Sequence, residues 1–168
     1  MIRHWVGTAI IFAVLLAMPA HAATRIYLMR GLGGHLLSDA MDQSGARLKR
    51  PGIVVVVGDW SDGPAFERDA LGHRSDRIVL IGHSMGAYAA GEIGSDLTRR
   101  GYQVKVVGID PLFTNASVAP GVNAICFYGE GFPMRGARNV FVASTYGHIA
   151  YASDPRVQSR VLAAAMGR

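Results

Sequence analysis

The sequence predicts an α/β domain built on a mostly parallel sheet of about six strands with helices on both faces, and three observations carry that expectation. Short apolar runs rich in β-branched residues alternate with longer mixed segments, the rhythm of repeated βαβ units. The runs are almost continuously hydrophobic, Ile53-Val54-Val55-Val56-Val57 above all, as strands covered on both sides require. One of them, Ile78 to Ile81, passes directly through Gly82-His83-Ser84-Met85-Gly86 into the helix-prone Ala87-Tyr88-Ala89-Ala90.

Taken in order, the first strand spans Arg25 to Met29 and leaves through the Gly-rich loop Arg30-Gly31-Leu32-Gly33-Gly34. A helix follows from Ser38 to Lys49, with Ser38 or Asp39 as its cap and Gly45 as a weak point. The second strand is Ile53 to Val57, and a short helix runs from Pro64 to Leu71. Ile78 to Ile81 is the third strand, leading into a long helix from Ser84 to Arg100, closed by Gly101 and carrying Arg99 and Arg100 where the helix dipole favours cations. Val104 to Ile109, Ala124 to Phe127 and Asn139 to Ala143 complete the sheet. Between the first two of these, Pro111 to Val122 is a long irregular connection suited to bordering a substrate site. The final helix covers Asp154 to Met166, capped by Ser153 or Asp154, with Pro155 in its first turn.

Residues 1–22 read as an export signal, with Arg3 and His4 ahead of an apolar core and Ala20-His21-Ala22 as a small-x-small cleavage site. The core is shorter than the ~20 residues of a spanning helix, so membrane contact is expected only through the uncleaved leader. Cleavage would leave one domain, residues 23–168, in the periplasm or secreted. The full chain holds 17 Lys and Arg against 12 acids, a net charge of +5. Those cations are scattered without interleaved aromatics, which argues for a solvated surface and against a nucleic-acid partner. Cys126, the single cysteine, excludes an intramolecular disulfide and reads as a buried strand thiol.

Gly82 to Gly86 has the form of a nucleophile elbow, in which small residues two before and two after the central position let a tight turn lift one side chain off the sheet. Ser84 is that side chain. A serine hydroxyl needs a base, and the base an orienting acid. Among the histidines of residues 23–168, His73 lies in a polar surface stretch, His35 precedes the nucleophile, and His83 sits inside the elbow pointing away from its neighbour. His148, in the loop between the last strand and the last helix, is the remaining candidate base. Asp110 is the preferred acid, because Ile109-Asp110-Pro111 fixes it at a strand's carboxyl end. Glu130, in a Gly-flanked loop after the next strand, is the alternative. No metal-ligand spacing is present, and the Gly-rich loop fails the dinucleotide pattern because Leu36 replaces the last glycine.

Together these features resemble the α/β-hydrolase superfamily over nearly all of residues 23–168, and Ile109-Asp110-Pro111 looks like the Asp-Pro that some of its lipases place after the equivalent strand. The resemblance implies the chain order Ser84, Asp110, His148, and an oxyanion hole from the Met85 N–H together with Leu32 or Gly33 of the first loop. It also implies a minimal member lacking the first two strands and any lid, hence a shallow, open site. The expected activity is a serine esterase or lipase-like hydrolysis of a small-molecule carboxylic ester with no cofactor. A thioesterase, or a non-catalytic binding protein on the same fold, is the alternative.

Overall fold

A computed structural model describes residues 22–37 and 39–167. The expected export signal therefore lies, but for its last residue, outside the described residues, as does the candidate cap Ser38. The elements are β1 (Thr24–Arg30), α1 (Ala40–Leu48), β2 (Ile53–Asp59), α2 (Gly63–Leu71), β3 (Arg77–His83), α3 (Met85–Arg99), β4 (Val104–Ile109), β5 (Asn123–Tyr128), β6 (Arg138–Phe141) and α4 (Pro155–Ala165). The six strands form one sheet in the order β2-β1-β3-β4-β5-β6 with every neighbouring pair parallel.

Alternation along the strands sends successive side chains to opposite faces, which divides the core in two. Ile26, Leu28, Val79, Ile81 and Val107 pack with Met41 and Leu48 of α1 and Val157 and Val161 of α4. Tyr27, Met29, Ile78, Leu80 and Val106 pack with Phe66 of α2 and Ala90, Ile93 and Leu97 of α3. Both faces are thus closed, and the central β3 is buried at six of its seven positions. The most hydrophobic run of the sequence behaves differently: β2 is an edge strand, and Val54 on it is exposed. β-branched residues suit a pleated edge as well as a buried centre, so hydrophobicity alone does not locate a strand within its sheet.

Helix ends follow local chemistry. Asp154 caps α4 by accepting the Arg156 N–H at 2.8 Å, with Pro155 at the first helical position, where no N–H is missed. Arg30, at the end of β1, bonds Asp42 of α1 and Asp59 of β2, and this three-way junction anchors the chain where the Gly-rich loop departs. The long connection after β4 is also tied down: the Tyr88 hydroxyl donates to the Phe113 carbonyl at 2.7 Å, and the Ala119 N–H donates to the Ser95 hydroxyl at 2.9 Å. Among the described residues no helix is long and apolar enough to cross a membrane.

Candidate active site

All strands being parallel, their carboxyl ends lie on one edge, and the loops there converge. At the end of β3 the chain turns through Ser84, whose φ of 54° and ψ of −118° fall in a region L-residues rarely adopt, and enters α3 at once. The turn is possible because Gly82 and Gly86 carry no side chain: a Cβ on Gly82 would collide with the Gly86 carbonyl, and one on Gly86 with the Met29 carbonyl. Ser84 N–H donates to the Ile109 carbonyl at 2.9 Å, which fixes the elbow to the end of β4.

Asp110 follows that carbonyl. It is fully buried, at φ 44°, and its Oδ1 accepts N–H bonds from Gly129 and Gly131, each at 2.8 Å. Its Oδ2 lies 2.7 Å from His148 Nδ1. Burial alone would raise this carboxyl's pKa, but the His148, Gly129 and Gly131 hydrogen bonds outweigh it and hold the group below the usual carboxylate range. An ionised Asp110 accepts from Nδ1–H, leaving Nε2 as the lone-pair nitrogen; that nitrogen is 2.9 Å from Ser84 Oγ. One imidazole therefore bridges hydroxyl and carboxylate within hydrogen-bond reach of both.

Glu130, the alternative acid, does not reach the ring in this arrangement. Its Oε2 accepts the main-chain N–H of His148 at 2.9 Å. His83 has a contact that the sequence reading did not assign, for its ring reaches His148. Its Nε2 donates to the His148 carbonyl at 3.0 Å, and the two imidazole rings lie 5.3 Å apart. Burial, with the neighbouring His148 as a lesser cause, depresses the His83 pKa to about 4, so the ring is neutral near pH 7. Nothing in the sequence pattern signals this contact, because it depends on how the 145–148 loop folds back over the elbow.

Ser84 and His148 open into a cleft of about 260 Å³, lined also by Gly31, Leu32, Gly34, Leu37, His83, Leu112 and Ile149. Its lips are apolar and exposed at Leu32, Leu37 and Ile149. Leu32 thus borders the cleft; Gly33 is next to it, left-handed at φ 84°, and is not among the lining residues. The N–H groups of Leu32 and Gly33 have no acceptor among the described residues. Met85, first residue of α3, has no acceptor within its own helix. A larger groove, about 930 Å³, runs along α3 past Met85, Tyr88 and Phe113 but includes none of Ser84, Asp110 and His148. The smaller cleft is the one lined by Ser84 and His148. Cys126 is buried and its thiol pKa is pushed up to about 12, which leaves it unreactive as a nucleophile. Among the described residues no group of three His, Cys, Asp or Glu side chains is disposed to hold a metal ion.

No protein-family model matches the sequence, and no curated protein sequence matches it either. Solved structures do. A candidate hydrolase of the alpha/beta superfamily from Xanthomonas campestris pv. campestris is 18% identical, with 86% of this chain and 98% of that one covered and a TM-score of 0.53. RedJ, solved with a PEG molecule in its active site, is 14% identical over 100% of this chain and 99% of its own, at a TM-score of 0.57. A candidate YdeN-like hydrolase from Pectobacterium atrosepticum is 20% identical over 86% and 91%, at 0.52.

Proposed function

We propose that this chain, a minimal α/β-hydrolase fold with no lid among the described residues, is a serine hydrolase that cleaves carboxylic esters. The observation that supports the reading is the His148 ring, 2.9 Å from Ser84 Oγ on one side and 2.7 Å from Asp110 on the other. His148 Nε2 takes the Ser84 proton as Oγ attacks the carbonyl carbon, and Asp110 holds the imidazolium that results. The oxygen of the tetrahedral intermediate meets the Met85 N–H and the N–H of Leu32 or Gly33; one such donor typically contributes ~3 kcal/mol. Collapse of the intermediate passes the His148 proton to the departing alcohol. A water activated by His148 then releases the acid and restores Ser84.

An apolar cleft of about 260 Å³ with open lips favours esters of short acyl chains. We further propose that residues 1–22 are removed on export and that the enzyme acts in the periplasm or outside the cell, where oxygen esters are more accessible than coenzyme A thioesters.

The test is labelling with a fluorophosphonate, followed by a panel of p-nitrophenyl esters of rising chain length with a thioester included. The expected result is modification at Ser84 alone, lost in Ser84→Ala, and turnover highest for short oxygen esters. A protein that neither labels nor turns over any of these substrates is a binding module on the same fold.

A further inference from the structure

We propose that Glu130 and His83 are positioning residues, which grip the His148 main chain at its N–H and its carbonyl and so set where the imidazole stands between Ser84 and Asp110. The proposal rests on the reading of His148 as base, and gives two residues outside the Ser-His-Asp relay a part in the same reaction.

His148 needs such support because no strand or long helix holds it. It opens a short 3₁₀ turn, His148–Ser153, after the bend at 145–146, so its main-chain N–H has no partner within that turn and its carbonyl keeps a lone pair for a second donor. The N–H goes to Glu130 Oε2 at 2.9 Å, and the carbonyl receives the His83 Nε2–H at 3.0 Å. A carbonyl can only accept, so Nε2 of His83 must carry the proton, and a buried neutral imidazole supplies that tautomer without placing a cation against the His148 ring.

Each grip belongs to a chain segment that also holds another member of the relay. Glu130 stands between Gly129 and Gly131, whose N–H groups both donate to Asp110 Oδ1. One turn at the end of β5 therefore holds the acid by its main chain and the base by its side chain. His83 immediately precedes Ser84, so its bond references the base to the elbow. Releasing either grip lets the 145–148 loop shift, and a shift of about 1 Å takes a 2.9 Å hydrogen bond out of range; misplacement of that size costs on the order of 10²-fold in rate.

The experiment compares Glu130→Ala with Glu130→Gln, which keeps an acceptor oxygen, and His83→Leu with His83→Gln, which keeps a donor at similar reach. With p-nitrophenyl butyrate, kcat should fall roughly tenfold to a hundredfold in the Ala and Leu variants with KM little changed, and each Gln variant should recover most of the loss. In the wild type, hydrogen exchange should show a protected His148 amide. Unchanged kcat in Glu130→Ala and His83→Leu overturns the proposal, and so does equal loss in the Gln and the truncated variants. A His148 amide exchanging as fast as an open loop overturns it even where the truncated variants fail to fold. An inert wild type that resists fluorophosphonate would remove His148 as base and this proposal with it, a result distinct from an active wild type indifferent to Glu130 and His83.

Discussion

Ser84 and Asp110 share a backbone property as well as an imidazole: with φ of 54° and 44°, they are the non-glycine residues at positive φ among those described. They stand at the ends of the adjacent strands β3 and β4, joined through the Ser84 N–H and the carbonyl of the residue before Asp110. Such conformations cost about 1–3 kcal/mol each and persist only where surrounding structure enforces them. Ser84→Ala removes the hydroxyl and keeps the strain, whereas Ser84→Gly removes both. Ser84→Gly should therefore be the more stable by about 1 kcal/mol, the relief being partly offset by the greater freedom glycine has in the unfolded chain. Urea unfolding of the two variants measures the difference, and a less stable Gly variant would place the strain elsewhere.

Asp110→Asn should lower kcat by roughly 10³–10⁴-fold while leaving the fold intact, because the amide presents an N–H to Nδ1 and favours the wrong tautomer of His148. Glu130→Gln should cost little by comparison. If the two losses were reversed, Glu130 and not Asp110 would be the acid. The linkage of Asp110 has a definite sign: a carboxyl held below its unfolded pKa stabilises the fold above that unfolded value, and this contribution fades as pH falls through the folded value.

The elbow and the sheet were readable from the residues because each depends on short-range rules. Gly82 and Gly86 mark a close approach that no other residue type allows, and the β-branched runs mark strands wherever those strands end up. The position of Asp110 was also readable, since Ile109-Asp110-Pro111 fixes it at a strand end. What was hidden depended on one loop returning over another. Glu130 reads as a rival acid until the 145–148 loop presents its N–H rather than its ring, and His83 reads as a bystander until the same loop offers a carbonyl. Strand order was equally hidden: nothing in Ile53 to Val57 distinguishes an edge strand from a central one.

Gly31 faces Ser84 so closely that a Cβ there would lie 2.8 Å from the Ser84 Cβ and 3.3 Å from its Oγ. Gly31→Ala must push back either the loop carrying the Leu32 and Gly33 N–H groups or Ser84 itself. Arg30, bonded to Asp42 and Asp59, holds the near end of that loop, so the displacement falls on the site. A loss in kcat of about 10²-fold or more, with a near-normal melting temperature, is the expected result of losing one oxyanion donor or misplacing Oγ. Wild-type kcat in Gly31→Ala would mean that this loop contributes no donor.

His83 gives the pH dependence of stability a further predictable component. Its pKa is depressed from the ordinary 6.5 to about 4, by burial first and by the adjacent His148 second. Between those values the unfolded chain binds more protons than the folded one, so stability rises with pH through this window and is lost as pH falls through it. Each unit of separation corresponds to about 1.4 kcal/mol. His83→Gln keeps a donor for the His148 carbonyl but cannot titrate, so its stability should decline less steeply than that of the wild type between about pH 6.5 and 4. Calorimetric melting of both proteins across that interval makes the comparison. Parallel curves would show that His83 is protonated alike in the folded and unfolded chains, and so is not the neutral, buried donor that its contact with His148 requires.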